Sequence, residues 1–153
     1  MSTTNMTRLT SADVKRHVPA LYEAGSHLSK AVRESSLEPE LIELIYLRVS
    51  QINGCAYCLH MHASKLDELG VSKDKQMLVA TWREAGIFSE RECAALEWAE
   101  AVTLLAVDHV PDAVYESVSA RFSDQELVEL TAAVTVINLW NRLGVTFRYP
   151  PEL

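Results

Sequence analysis

The chain has 153 residues, 48% of them apolar and 23% charged, with a formal net charge of −7. That balance fits one globular domain large enough for a real core, here taken as residues 1–153, and excludes a disordered chain. The acidic surface repels nucleic acid and an anionic bilayer, so neither is an expected partner.

The opening segment, "MSTTNMTRLTSADVKRH", lacks the apolar h-region of a secretory signal. No apolar run approaches the roughly 20 residues of a membrane span. The longest, "LTAAVTVINLW", is broken by Thr and Asn. The predicted elements are helical throughout. Ser11 is placed to cap a short first helix, and Pro19 suits the first turn of a second that runs to about Arg33. Pro39 opens "PELIELIYLRVSQI", where Leu41, Ile42, Leu44, Ile45, Val49 and Ile52 form a broad apolar face. Asn53-Gly54 is a stop signal. A further helix is predicted from about Cys55 to Leu69, and another from the cap Ser72 to about Ala85. Ser89 with Glu92, and Ser123 with Glu126, form capping boxes for helices reaching about Val107 and Leu143. Between those two, Pro111 starts a helix ending near Arg121, and the tail "FRYPPEL" is expected to be extended. The fold class is therefore all-α, a bundle of about seven or eight helices with the Cys-x-x-Cys at the start of a central one. The last helix is apolar on most sides, which suits either the middle of a monomer or a subunit interface.

The chain contains three cysteines, Cys55, Cys58 and Cys93. An odd number without a signal segment argues against a secreted disulfide framework and for the cytoplasm. There, a close pair is catalytic, redox-active or metal-binding. Haem attachment needs His directly after the second Cys, and Leu59 stands there. A zinc site needs four ligands, and "CAYCLHMH" offers Cys55, Cys58, His60 and His62. On a helix, His60 falls about 200° from Cys58, so the fourth ligand would have to be Cys93 or a distant His. A buried pair acting as small hydrophobes is the third reading. The fourth is redox chemistry. Positions i, i+3 and i+7 form one helical stripe, and Cys55, Cys58 and His62 occupy it. Cα atoms three apart on a helix are roughly 5 Å apart, within reach of a disulfide. A cysteine at a helix N-terminus is favoured as thiolate.

If the helices flanking Asn53-Gly54 return antiparallel, Glu43 lies about 16 Å before the turn and His62 about 12 Å after it. The two then stand at similar heights. Glu43 can pair with His62 to make a proton relay, or it can lie solvated on the outer face.

Glu43, Cys55, Cys58 and His62 thus spell E-x(11)-C-x(2)-C-x(3)-H. This pattern resembles the AhpD-like alkylhydroperoxidase branch of the carboxymuconolactone decarboxylase superfamily. The segments "ELIYLRVSQINGCAYCLHMHASKLDELG", "WREAGIFSERECAALEWAEAVT" and "VTVINLWNRLGV" carry the same resemblance, over roughly residues 20–147. The resemblance implies an all-helical subunit assembled as trimers or hexamers, with no metal or organic cofactor. It implies reduction of organic hydroperoxides by a dithiol–disulfide cycle. Cys58 would be the peroxidatic cysteine, Cys55 the resolving one, and Glu43 and His62 the relay. The reductant would be a thiol or a lipoyl-type dithiol. Tyr57 departs from the pattern: some active members carry His between the cysteines. Two other functions remain on this reading, a decarboxylase or lactone-processing enzyme of the same fold, and a non-enzymatic thiol or zinc redox sensor.

Overall fold

The computed structural model describes residues 6–153. The elements are α1 (Ser11–His17), α2 (Pro19–Arg33), α3 (Pro39–Asn53), α4 (Ala56–Glu68), α5 (Lys73–Leu78), a 3₁₀ turn (Val79–Thr81), α6 (Trp82–Ala85), α7 (Glu90–Thr103), α8 (Leu105–Asp108), α9 (Asp112–Ser119) and α10 (Asp124–Phe147). Among the described residues there is no strand, and eight of the helices have six residues or more.

The centre of the molecule is α3, which packs on α4, α7 and α10. Its two faces feed two clusters of buried side chains. Ile45 and Val49 join Trp98, Ala99, Leu130, Val134 and Ile137 in the larger cluster. Leu44 and Leu47 join Leu66, Val79, Trp82 and Leu96 in the smaller. A helix apolar on both faces must be enclosed, and α3 is more enclosed than the last helix. On α10, Val128 and Val145 remain exposed.

Charged groups lock the frame at two points. Arg91, on α7, grips both carboxylate oxygens of Glu38 and reaches Glu126 at 2.6 Å, tying the starts of α3 and α10 to α7. Glu100 accepts hydrogen bonds from Arg48 Nε at 2.8 Å, Trp82 Nε1 at 2.9 Å and Arg83 Nη1 at 2.6 Å. Burial alone would raise the Glu100 carboxyl, but these donors hold it below the usual range.

Several predicted boundaries move. The first cap is Thr10 rather than Ser11, because Asp13 reciprocates the Thr10 hydroxyl in a capping box. The helix predicted from Ser72 to Ala85 breaks at the 3₁₀ turn. Buried Val79 and Trp82 are three apart, and a 3₁₀ turn aligns that spacing toward one core. The long helix begun at Ser89 stops at Thr103 instead of reaching Val107. The chain breaks at Leu104 and resumes as the short α8; Leu104, Leu105 and Val107 are exposed, so no packing holds the two as one continuous helix. The last helix runs on through Gly144 to Phe147, so the tail takes irregular form only after Arg148.

Candidate functional site

The α3–α4 turn builds the site. Gly54 takes φ +69°, a left-handed conformation that costs glycine nothing, and the chain reverses there. Cys55 follows as N-cap of α4, its Sγ accepting a hydrogen bond from the Cys58 amide at 3.3 Å. Cys55 and Cys58 are joined as a disulfide with Cα atoms 5.3 Å apart, and both are buried. One turn later on α4, His62 is buried as well.

Glu43, on α3, presents Oε2 to His62 Nδ1 at 2.7 Å. A carboxylate only accepts, so Nδ1 carries the proton and Nε2 is left as the nitrogen that can take up or release another. The Tyr46 ring packs on the imidazole, centroids 4.9 Å apart. Burial, together with the Glu43 charge, pushes the Tyr46 phenol far up, so it stays protonated. Its hydroxyl is buried with no hydrogen-bond partner among the described residues.

The four residues singled out by spacing, Glu43, Cys55, Cys58 and His62, therefore meet in one hairpin. Three further contributions complete the site. Gly144 lies against the disulfide: a Cβ there would stand 2.7 Å from Cys55 Sγ and 3.5 Å from Cys58 Sγ. In sequence it reads as a helix stop, and only the close approach across the core shows its role. Asn53 holds the turn to α10 through Nδ2, which donates to Asn138 Oδ1 and Asn141 Oδ1, each at 3.0 Å. Asn141 in turn donates to Ser50 Oγ at 3.1 Å. The third is an open cavity of about 760 Å³ whose walls include Tyr22, Tyr57, Cys58, Met61, Trp140 and Tyr149. Tyr57 lines this cavity beside Cys58.

Other candidates fall elsewhere. His60 is half-buried and out of phase with the buried Cys58 and His62. Cys93 packs against the smaller cluster, and burial, with Glu92 and Glu90 nearby, pushes its thiol up and away from thiolate. Among the described residues, no three His, Cys, Asp or Glu side chains gather closely enough to share a metal ion. The zinc reading thus lacks a donor set there, and Cys93 does not supply its fourth ligand.

Comparison with known proteins bears on the family and the fold. Residues 19–101 match the model of the Carboxymuconolactone decarboxylase family. An uncharacterized protein of Bacillus subtilis strain 168, YdfG, is 36% identical over 118 residues, covering 77% of this chain and 80% of that protein. A crystal structure from Agrobacterium tumefaciens, of a protein of unknown function suggested to be the antioxidant defence protein AhpD, superposes with a TM-score of 0.90. It is 38% identical and covers 97% of this chain and 99% of that one. The debrominase Bmp8 superposes with a TM-score of 0.78 at 23% identity, covering 88% of this chain and 72% of its own, a likeness of fold.

Proposed function

This chain belongs to the carboxymuconolactone decarboxylase family, and from its AhpD-like site we propose that it is a thiol-dependent peroxidase reducing organic hydroperoxides. The observation that carries this is the coincidence, in one hairpin, of the Cys55–Cys58 disulfide and the Glu43–His62 pair.

In the reduced protein, the Cys58 thiolate attacks the outer oxygen of the hydroperoxide. The S–O bond forms as the O–O bond breaks, and the alkoxide leaves as the alcohol after taking a proton. Cys58 remains as a sulfenic acid. The Cys55 thiol then attacks the Cys58 sulfur and expels water, giving the disulfide. His62, held by Glu43 through Nδ1, exchanges the protons at Nε2: it takes one from the attacking thiol and returns one to the leaving alkoxide. An external dithiol of the lipoyl type restores both thiols by exchange, supplying two electrons.

Two contacts support the division of roles. Cys58 lines the cavity, which gives a substrate access to its sulfur. Cys55 Sγ accepts an amide N–H at a helix N-terminus, which stabilises it as the thiolate expelled when a reductant attacks Cys58.

Assembly and location belong to the same proposal. An exposed apolar strip with Leu28, Tyr115 and Val128 supports assembly with further copies, and the family resemblance gives trimers or hexamers, which sedimentation would measure. No helix among the described residues is long and apolar enough to cross a membrane, in keeping with a cytoplasmic enzyme.

The test is consumption of an organic hydroperoxide by reduced protein with a thiol donor. Cys58→Ser is expected to abolish it, and turnover that survives this change would overturn the proposal. A thiol sensor would instead oxidise once and not turn over.

A further inference from the structure

The geometry points to a substrate class: the cavity over Cys58 is built for a neutral hydroperoxide with a bulky aromatic body, and the wall formed by Tyr22 and Tyr149 sets that preference. The reaction rests on the peroxidase proposal, whereas the binding rests on the cavity alone.

Size comes first. The cavity measures about 760 Å³. A water takes about 30 Å³ of liquid and drug-sized ligands fill roughly 300–1,000 Å³. The peroxide oxygens alone would fill little of this space, which leaves room for a bulky organic group beside Cys58.

The walls say which group. The Tyr22 and Trp140 rings lie 5.4 Å apart at 58°. The Tyr57 ring meets Tyr149 edge-on at 6.3 Å, and Phe147 stacks on Tyr149 at 6.2 Å. Such tilted and edge-on rings offer faces and edges to a further aromatic ring. Met61, partly exposed at the same wall, adapts to an irregular apolar shape. The indole N–H of Trp140 is already spent on Ser29 Oγ at 2.9 Å. Arg8, Arg148 and Glu152 also border the cavity, so both signs of charge are present and neither a cation nor an anion is singled out.

The wall is fastened, not incidental. After α10 ends at a left-handed Arg148, the Tyr149 amide donates to Gly144 O at 2.9 Å. The Tyr149 hydroxyl meets the Tyr22 hydroxyl at 3.1 Å, joining the tail to α2. Burial and this bond push the Tyr149 phenol up, so Tyr149 stays protonated. From the other end of the chain, Arg8 Nη1 donates to Thr146 O at 2.6 Å.

The experiment has two arms. In the first, the oxidised protein is titrated with 2-phenyl-2-propanol, the alcohol left by cumene hydroperoxide, and with tert-butanol, followed by the Trp140 indole N–H resonance. The aromatic alcohol is expected to bind about tenfold more tightly or better, and Tyr149→Ala to collapse that ratio toward one. Tyr22→Phe, which keeps the ring and cuts only the hydroxyl link, is expected to lower it part of the way. In the second arm, reduced protein is mixed with cumene hydroperoxide, tert-butyl hydroperoxide and hydrogen peroxide, and the oxidation rates are expected to follow the same order. Equal binding of the two alcohols, or a ratio that Tyr149→Ala leaves intact, overturns the cavity assignment. Selective binding of the aromatic alcohol with no oxidation by any peroxide upholds the cavity and overturns the peroxidase proposal. Equal oxidation by all three with no alcohol selectivity does the reverse.

Discussion

Glu43 Oε2 lies 2.7 Å from His62 Nδ1, across the α3–α4 reversal, the two being 19 residues apart in sequence. The contact sets which imidazole nitrogen is protonated, and it leaves Nε2 as the nitrogen that, in the proposed relay, exchanges a proton with a thiol. Glu43→Gln is expected to slow hydroperoxide reduction about 100-fold or more. Alkylation of the reduced protein should then require higher pH, because the support for thiolate is weaker. An unchanged pH profile of alkylation would remove Glu43 from the relay.

The two cysteines should fail differently. Cys58→Ser is expected to consume no peroxide. Cys55→Ser should still oxidise once, leaving a sulfenic acid on Cys58 that dimedone labels, but should not turn over. Mass spectrometry after one equivalent of peroxide separates the two, and dimedone on Cys55 in the Cys58→Ser protein would reverse the assignment.

Gly144 gives the disulfide its space. Gly144→Ala would put a methyl group 2.7 Å from Cys55 Sγ. A free thiol can rotate away, but a bridged sulfur cannot. The oxidised protein is expected to lose about 1–3 kcal/mol and the reduced protein less. Melting temperatures of the two forms would show the gap, and equilibration with a glutathione buffer should shift toward the dithiol.

Tyr46 keeps its ring against His62 and its hydroxyl buried without a partner. Tyr46→Phe retains the packing and removes the orphaned group, so it is expected to stabilise the fold by about 1 kcal/mol. A loss of stability in urea unfolding would mean that the hydroxyl has a partner, such as an ordered water.

Glu100 makes the stability of the fold depend on pH. Its carboxyl is held below the ordinary 4.5, so its contribution is present above that value and lost as pH falls through the folded one. Glu100→Gln is expected to cost about 1–3 kcal/mol at pH 7. Its urea midpoint should approach that of the unaltered protein as pH falls below 4.5, and a gap constant with pH would contradict the assignment.

The hairpin was legible in sequence because its signals are local. Asn53-Gly54 marks the reversal, and helical rise puts Glu43 and His62 level across it. Cys55 turned out to be the cap and not a residue of α4, yet the expected spacing survived, because the Cα separation to Cys58 is 5.3 Å. Gly144 was not legible, since a glycine late in an apolar helix has the same pattern whether it ends the helix or lies under a sulfur. The link between Tyr22 and Tyr149 spans 127 positions, and no periodicity records a contact of that range. The breaks at Val79 and Leu104 were also hidden, because they depend on where the core ends.

Glu43, the two cysteines and His62 occupy one continuous stretch, whereas the chamber over Cys58 is walled partly by residues near the two chain ends, Arg8 among them at one end and Tyr149 at the other. Mutations near the ends can therefore reshape what is admitted without touching the groups that react. If the chamber sets preference as proposed, grafting a relative's terminal segments onto this core is a direct route to exchanging it.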